Sequence, residues 1–493
     1  MLNTQTETFR GYGKICDVNA QTAVECKFSQ EVETVLASHA SVSLTGADAG
    51  NGEVRYYGKA HFFIVYEDAE KHVCRAEKGV EFTARAQDEN IFPALTARAE
   101  LTVENLSVRR EGASVYLTAL LGADIHLYGE KNLEYLTGGD LVTKREPAPV
   151  LTAHLCGGAA EAEDEFETEF IGDILMHAQS AGAIEVGCET GSLRVDGEVN
   201  LSILALKGES AVVSFERLIP FHVEIPCDGA SFGYGAEARV TVLDCNIRAE
   251  ADEEKGKCKI FAVITLGVEG CVYEEVQIDG VTDAFSKTNH VELSFVTAEC
   301  EGAGDTVQFT DRISGKAALS SPVDFSDSFQ AVTLQRAEAS LVRAEDGMRV
   351  EGVAMATLLV LASDGTHRGV EMSLPFSVPV SAEDGKVCVL VCGMSARQRQ
   401  EGEIDAEATL KITINRRRSS SCKLVSKAEE GEAIEERDCA ISVYIPRTGD
   451  GLWELSKSLN RAPEEVLQSN PDVEFPVKEG QRVILYRKKT LKA

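Results

Sequence analysis

Three stretches of the chain read alike: GEVRYYGKAHFFIVY from Gly52, GSLRVDGEVNLSILA from Gly191 and DGMRVEGVAMATLLV from Asp346. Each carries an Arg three residues ahead of a Gly, as Arg55 and Gly58, Arg194 and Gly197, Arg349 and Gly352. Phe82, Phe221 and Phe376 each follow their Gly by 24 residues and open a second alternating stretch. From Arg55 to Val108 the first copy maps onto the second at a constant offset of 139; the third follows the second at 155 through Phe376. So long a period lets each copy enclose its own core, which favours tandem domains over a solenoid.

Within each copy the pattern has period two. In the second, Leu193, Val195, Gly197, Val199, Leu201 and Ile203 share one face, while Arg194, Asp196, Glu198, Asn200 and Ser202 share the other. That describes an antiparallel strand with one side on a core and one in water. The Gly on the apolar side predicts a bulge or the close crossing of another strand. Apolar segments precede each Arg-Gly stretch (VETVLASHASVSL, FIGDILMHAQSAGAIEV, FQAVTLQRAEASLV) and close each copy (VYLTALLGADIHLY, CKIFAVITLGVEGCVY, ATLKITI). The expected fold class is mainly β: three tandem β-sandwich-like repeats over 1–145, 146–290 and 291–415, then a small βααβ domain. Between them, 416–440 (RRRSSSCKLVSKAEEGEAIEERDC from Arg416) reads as a charged, solvated linker in which Arg416, Arg417 and Arg418 are surface residues.

The segment 441–488 reads strand, helix, helix, strand. ISVYIP alternates, Leu452, Leu455 and Leu459 share a helical face, and Pro463-Glu464-Glu465 suits a second helix start. Asn470-Pro471 stops that helix and QRVILY returns as a strand. So small a core should bury nearly every Leu and Val, and Trp453 is expected to pack on the module's own strands. This order, with Gly449-Asp450, Leu452-Trp453 and Asn470-Pro471, resembles the LysM domain family. The resemblance implies a shallow groove for N-acetylglucosamine-containing glycan, lined by Gly449, Asp450, Gly451, Leu452, Asn470 and Pro471. Members usually have Thr or Ser where Gly451 stands, so a hydroxyl that could cap the helix and meet a ligand is absent.

Charge narrows the partners. The formal net charge is −31. Residues 441–493 hold nine Lys/Arg against seven Asp/Glu, which leaves 40 against 73 in the first 440 residues. So acidic a body repels phosphate backbones, and no nucleic acid is expected as partner. No apolar run is long enough for a membrane helix and no signal peptide is read at the start, so no membrane span and a cytoplasmic location are expected. The 14 cysteines form no CxxC pair and read as reduced thiols, with no metal site at Cys388 and Cys392. GASFG from Gly229 fits the G-x-S-x-G pattern, but Ser231 lies between β-like segments and is expected to be an ordinary loop residue. No catalytic residue and no cofactor are expected.

Three acidic β repeats ahead of one LysM-like module, with VRYYG, LRVDG and MRVEG as the repeat signature, resemble the SPOCS-domain proteins of spore-forming Firmicutes, in particular those of the SipL type. The resemblance implies a non-enzymatic adaptor in the mother cell, at the forespore surface. Its partner would be the spore coat morphogenetic ATPase or another coat protein. The alternative is a peptidoglycan- or N-acetylglucosamine-binding LysM protein of cell wall or phage.

Overall fold

The Arg-Gly stretches form the middle strand of a three-stranded antiparallel meander in every repeat. In the first repeat, β1 (Thr4–Phe28) is followed by the meander β2 (Thr34–Ala49), β3 (Glu53–Glu67) and β4 (Val73–Gln87), then β5 (Thr96–Glu111) and β6 (Ser114–Gly139). The second repeats this as β7 (Val142–Glu169), β8 (Ile174–Glu189), β9 (Ser192–Lys207), β10 (Ala211–Pro226), β11 (Gly235–Asp252) and β12 (Lys257–Phe285). The third is β13 (Asn289–Lys316), the short β14 (Ala318–Leu319), β15 (Ser328–Ala344), β16 (Gly347–Leu361), β17 (His367–Val380), β18 (Lys386–Gln400) and β19 (Glu403–Ala433). This computed structural model describes residues 2–112, 114–169, 172–208, 211–252, 256–400, 403–435 and 441–486, the side chains at 252 and 400 excepted.

The shared Gly has a steric cause. Gly58, Gly197 and Gly352 lie directly opposite Phe82, Phe221 and Phe376 in the sheet register. A Cβ on Gly58 would stand 2.2 Å from the Ser43 carbonyl oxygen, and one on Gly352 2.2 Å from that of Glu338. On Gly197 it would meet the Phe221 ring at 2.2 Å. The 24-residue spacing is therefore the length of one hairpin that lays an aromatic ring over a bare backbone.

In each repeat the meander sheet packs on a second sheet, in the strand orders β1-β6-β5, β11-β12-β7 and β13-β19-β18. The two share a core: Phe62 and Ile64 meet Leu117 and Leu121, Leu201 and Ile203 meet Ile264 and Leu266, Leu358 and Val360 meet Leu410 and Ile412. The chain is thus mainly β and built of small antiparallel sheets. One set of six strands gives way to the next at 139–142 and 285–289.

The expected linker is corrected by the structure. Residues 416–433 continue β19, paired with β13 from Ala303↔Arg417 to Asn289↔Ala433, and Leu424 and Val425 are buried. Arg416 faces Asp384 at 3.5 Å, and Arg418 reaches Glu275 of the second repeat at 3.4 Å. The long first strands β1, β7 and β13 also escaped the sequence pattern.

A second correction concerns the polar faces. Asn200 and Ser202, expected in water, are buried under the third repeat. Asn200 Nδ2 donates to the Val391 carbonyl (2.6 Å), and the Ser202 hydroxyl contacts Thr333 (3.4 Å). The repeats close into a ring with approximate threefold symmetry: β4 meets β8, β10 meets β15 and β17 meets β2. Val65, Leu204 and Leu359, related by the offsets 139 and 155, bury one another together with Leu36, Leu175 and Leu334. Further along, Leu136, Val281 and Val425 form a second shared cluster. Between them, Glu100 of the first repeat pairs with Arg239 of the second (3.3 Å) and Lys386 of the third (2.7 Å). Burial alone would raise the Glu100 pKa; those two cations outweigh it and hold the carboxyl below its usual range.

The third repeat closes on the first through a buried ion-pair geometry. The Glu67 carboxylate accepts the His367 backbone N–H (2.9 Å) and contacts its Nδ1 (2.8 Å). Beside it, a Cβ on Gly369 would lie 1.7 Å from the Leu36 carbonyl oxygen, so glycine alone lets the two backbones approach.

Candidate functional site

The C-terminal module is β20 (Ile441–Tyr444), α1 (Leu452–Leu459), α2 (Pro463–Ser469) and β21 (Val483–Tyr486), the expected order. Leu455, Val466 and Val483 form its core, flanked by Tyr444, Leu452, Leu459, Val473 and Phe475. The expectation that nearly every Leu and Val is buried is corrected: Val443 and Leu467 are exposed.

The residues expected to line a glycan groove have distinct roles. The Gly449 N–H donates to the Val477 carbonyl and the Val477 N–H to that of Asp450, both at 2.9 Å, lacing the loop before α1 to the loop after α2. Gly449 has φ +95°, a conformation that favours glycine. Asp450 Oδ2 accepts the Arg447 N–H at 2.8 Å and so closes the turn. Gly451 is the N-cap of α1 without a side-chain cap, and a Cβ there would meet only the movable tip of Glu454. Leu452 packs on the module core and Pro471 is exposed. Asn470 is buried: Nδ2 donates to the Val466 and Ile484 carbonyls (2.9 Å each), and Oδ1 accepts the Ile484 N–H (2.6 Å). Its side chain ties α2 to β21, and both of its donors are spent on the module's own backbone.

The outer face of the hairpin differs. Ile441 pairs with Tyr486 and Val443 with Ile484, and these side chains point away from the helices. Ile441 is 59% exposed, Val443 57%, Ile445 71% and Tyr486 62%. This apolar strip lies on the outer face of a two-stranded sheet, and exposed apolar side chains gathered in this way are suited to docking another protein.

Trp453 also departs from expectation. It packs edge-on against Phe285 at 5.3 Å between ring centroids, at the end of β12, and its indole N–H donates to Asp283 Oδ2 at 2.8 Å. Lys457, one turn on, donates to both Asp283 oxygens (2.7 and 2.9 Å), and Lys287 pairs with Glu465 (2.5 Å). Burial pushes the Asp283 pKa up, but the Lys457 and Trp453 hydrogen bonds outweigh it and the carboxyl is held below its usual range. Sequence reasoning missed this seat. The signal was a departure from the repeat: two residues beyond the matched Leu136, Val281 and Val425 stand Gly138, Asp283 and Lys427.

Elsewhere, Ser231 sits in a turn between β10 and β11, its carbonyl accepting the Tyr234 N–H, and not at a strand-to-helix elbow. Asp68, Glu70 and His72 gather in the β3–β4 turn, where Asp68 Oδ1 accepts the N–H groups of the other two. Burial pushes the Cys245 and Cys271 thiols up to about 12, which makes them inert near neutral pH. Among the described residues no helix is long and apolar enough to cross a membrane. Compared with family models, with curated proteins and with solved structures, the chain finds no match in any of the three.

Proposed function

We propose that the chain is a non-enzymatic adaptor in endospore coat assembly, its β repeats serving as scaffold and its LysM-like module docking a coat morphogenetic protein, the ATP-hydrolysing one in particular. The observation that carries this reading is the exposed apolar strip of Ile441, Val443, Ile445 and Tyr486. A sugar needs convergent hydrogen-bonding groups, and here Asn470 is spent on the module's own backbone while Gly451 supplies no hydroxyl. A protein needs desolvated apolar area, which the hairpin offers. The SPOCS-like repeat signature and acidic body support the same reading.

The test uses the full chain, the purified coat ATPase and chitin oligomers as N-acetylglucosamine probes. The expected result is binding to the ATPase, weakened tenfold or more by Val443→Glu or Ile445→Glu, with little affinity for the oligomers. Tight oligomer binding that is indifferent to both substitutions, without ATPase binding, would favour the wall-glycan reading.

A further inference from the structure

Among the described residues, the side-chain hydrogen bonds, ion pair and ring contact between the module and the ring gather on one short segment. Asp283 supplies both oxygens to the module, one to the Trp453 indole and both to Lys457. Phe285 supplies the only aromatic ring in contact with the indole among the described residues, and Lys287 adds an ion pair. Asp283 and Phe285 are two residues apart at the end of β12 and so share one side of the strand, and Lys287 follows in the bend before β13. The corresponding ends of the other two repeats lack the set, with Gly138 and Lys427 where the second has Asp283. A Lys at that position would repel Lys457, and a Gly offers it nothing.

The module nonetheless has its own core of Leu455, Val466 and Val483, helices closed at their C-terminal ends by backbone hydrogen bonds of Asn460 and Asn470, and its own laced loops. None of these requires the ring. A self-contained body held by one carboxylate, one aromatic edge and one ion pair is a docked unit with a defined seat. We infer that the module is a latch: it occupies one of three quasi-equivalent positions on the ring, selected by Asp283 and Phe285, and it leaves that position as a folded unit. In the seated state the indole edge is covered by Phe285 and its N–H is bonded to Asp283; in the released state both are open.

Trp453 is the chain's one tryptophan, so its fluorescence reads the seat directly. The experiment compares the full wild-type chain with Asp283→Ala, Asp283→Asn and Phe285→Leu. Asp283→Ala should shift the emission to the red and raise acrylamide quenching about threefold or more. Asp283→Asn, which keeps an acceptor for the indole but loses the charge, should fall between. High salt should release the wild type partway, since Lys457–Asp283 and Lys287–Glu465 are exposed enough to be screened. Circular dichroism and the main thermal transition should be unchanged in the two Asp283 variants, because Asp283 is partly exposed at a strand end; Phe285 is buried, and Phe285→Leu is read only against its own melting curve. Unchanged quenching in Asp283→Ala would overturn the latch, as would quenching accompanied by loss of the module's helix signal. Quenching that varies with protein concentration would also overturn it, since that would mean the seat is filled by the module of a second copy.

Discussion

Folding pushes the Glu216 carboxyl up to about 7, because burial outweighs the hydrogen bond from the Ser202 hydroxyl. Glu216 sits at the seam between the second and third repeats, where Gln335 also donates to Oε1 (3.2 Å) and Oε2 has no partner among the described residues. Between about pH 4.5 and 7 the folded chain holds a proton that the unfolded chain has lost, so this group's contribution falls as pH rises through that window. Glu216→Gln should therefore raise stability at pH 8 by up to ~3 kcal/mol and by far less at pH 5, read from denaturant midpoints at the two pH values. His39 acts with the opposite sign. Burial, then the neighbouring His177 and Arg336, lower its pKa to about 4, so stability is lost as pH falls below about 6.5. At the closing seam, Gly369→Val forces the β17 backbone away from Leu36. It should cost about 1–3 kcal/mol as overpacking does, seen as a lowered midpoint, whereas the same change at half-buried Gly393, where a Cβ meets nothing within 4 Å, should cost less.

At the scale of the element, β19 shows what a pattern-based reading loses. Arg416–Ser421 and Glu429–Glu432 have no apolar alternation because the strand's far half is wetted on most of its side chains. Its pairing with β13 is a backbone property that side-chain pattern does not report. The pair Leu424-Val425 was the available signal. A chain ending at 415 should lose those two buried residues, each worth about 2 kcal/mol, and leave β13 unpaired over 289–303. Its third repeat should be unstable, and a chain ending at 435 should unfold at the temperature of the full protein; paired thermal melts distinguish them. Strands β1, β7 and β13 were illegible for a related reason. β7 carries Pro147, Pro149 and a dense acidic run, which sequence reasoning assigns to turns or solvent. The meander strands were legible because alternation, Gly and Phe all register one event, a ring folded over a bare backbone.

On the scale of the whole molecule, the sequence announced three copies but not that they bite one another. The clue lay where alternation gives way to continuous apolar runs, at Phe62–Tyr66, Ile203–Leu206 and Leu358–Leu361, since a strand apolar on both faces is covered on both. The candidate site was half legible: the module's order followed from caps and spacing, while its seat depended on residues 170 positions away. Burial across the seams makes the repeats mutually dependent. The second repeat alone would expose Leu175, Met176, Leu204 and Val212. It should self-associate in sedimentation, while 1–435 should melt in one calorimetric transition.

The closing contact between β17 and β2 has a topological corollary. Each repeat ends where the next begins, at 139–142 and 285–289, and Val425 in the last part of β19 shares a cluster with Leu136, the strand partner of Thr6 at the start of β1. Circularly permuted chains opened at 140 or at 287, with 434 joined to 4 through a short Gly-rich bridge, should reach the same ring with little change in midpoint. Which repeat is read first by the ribosome is then immaterial to the architecture.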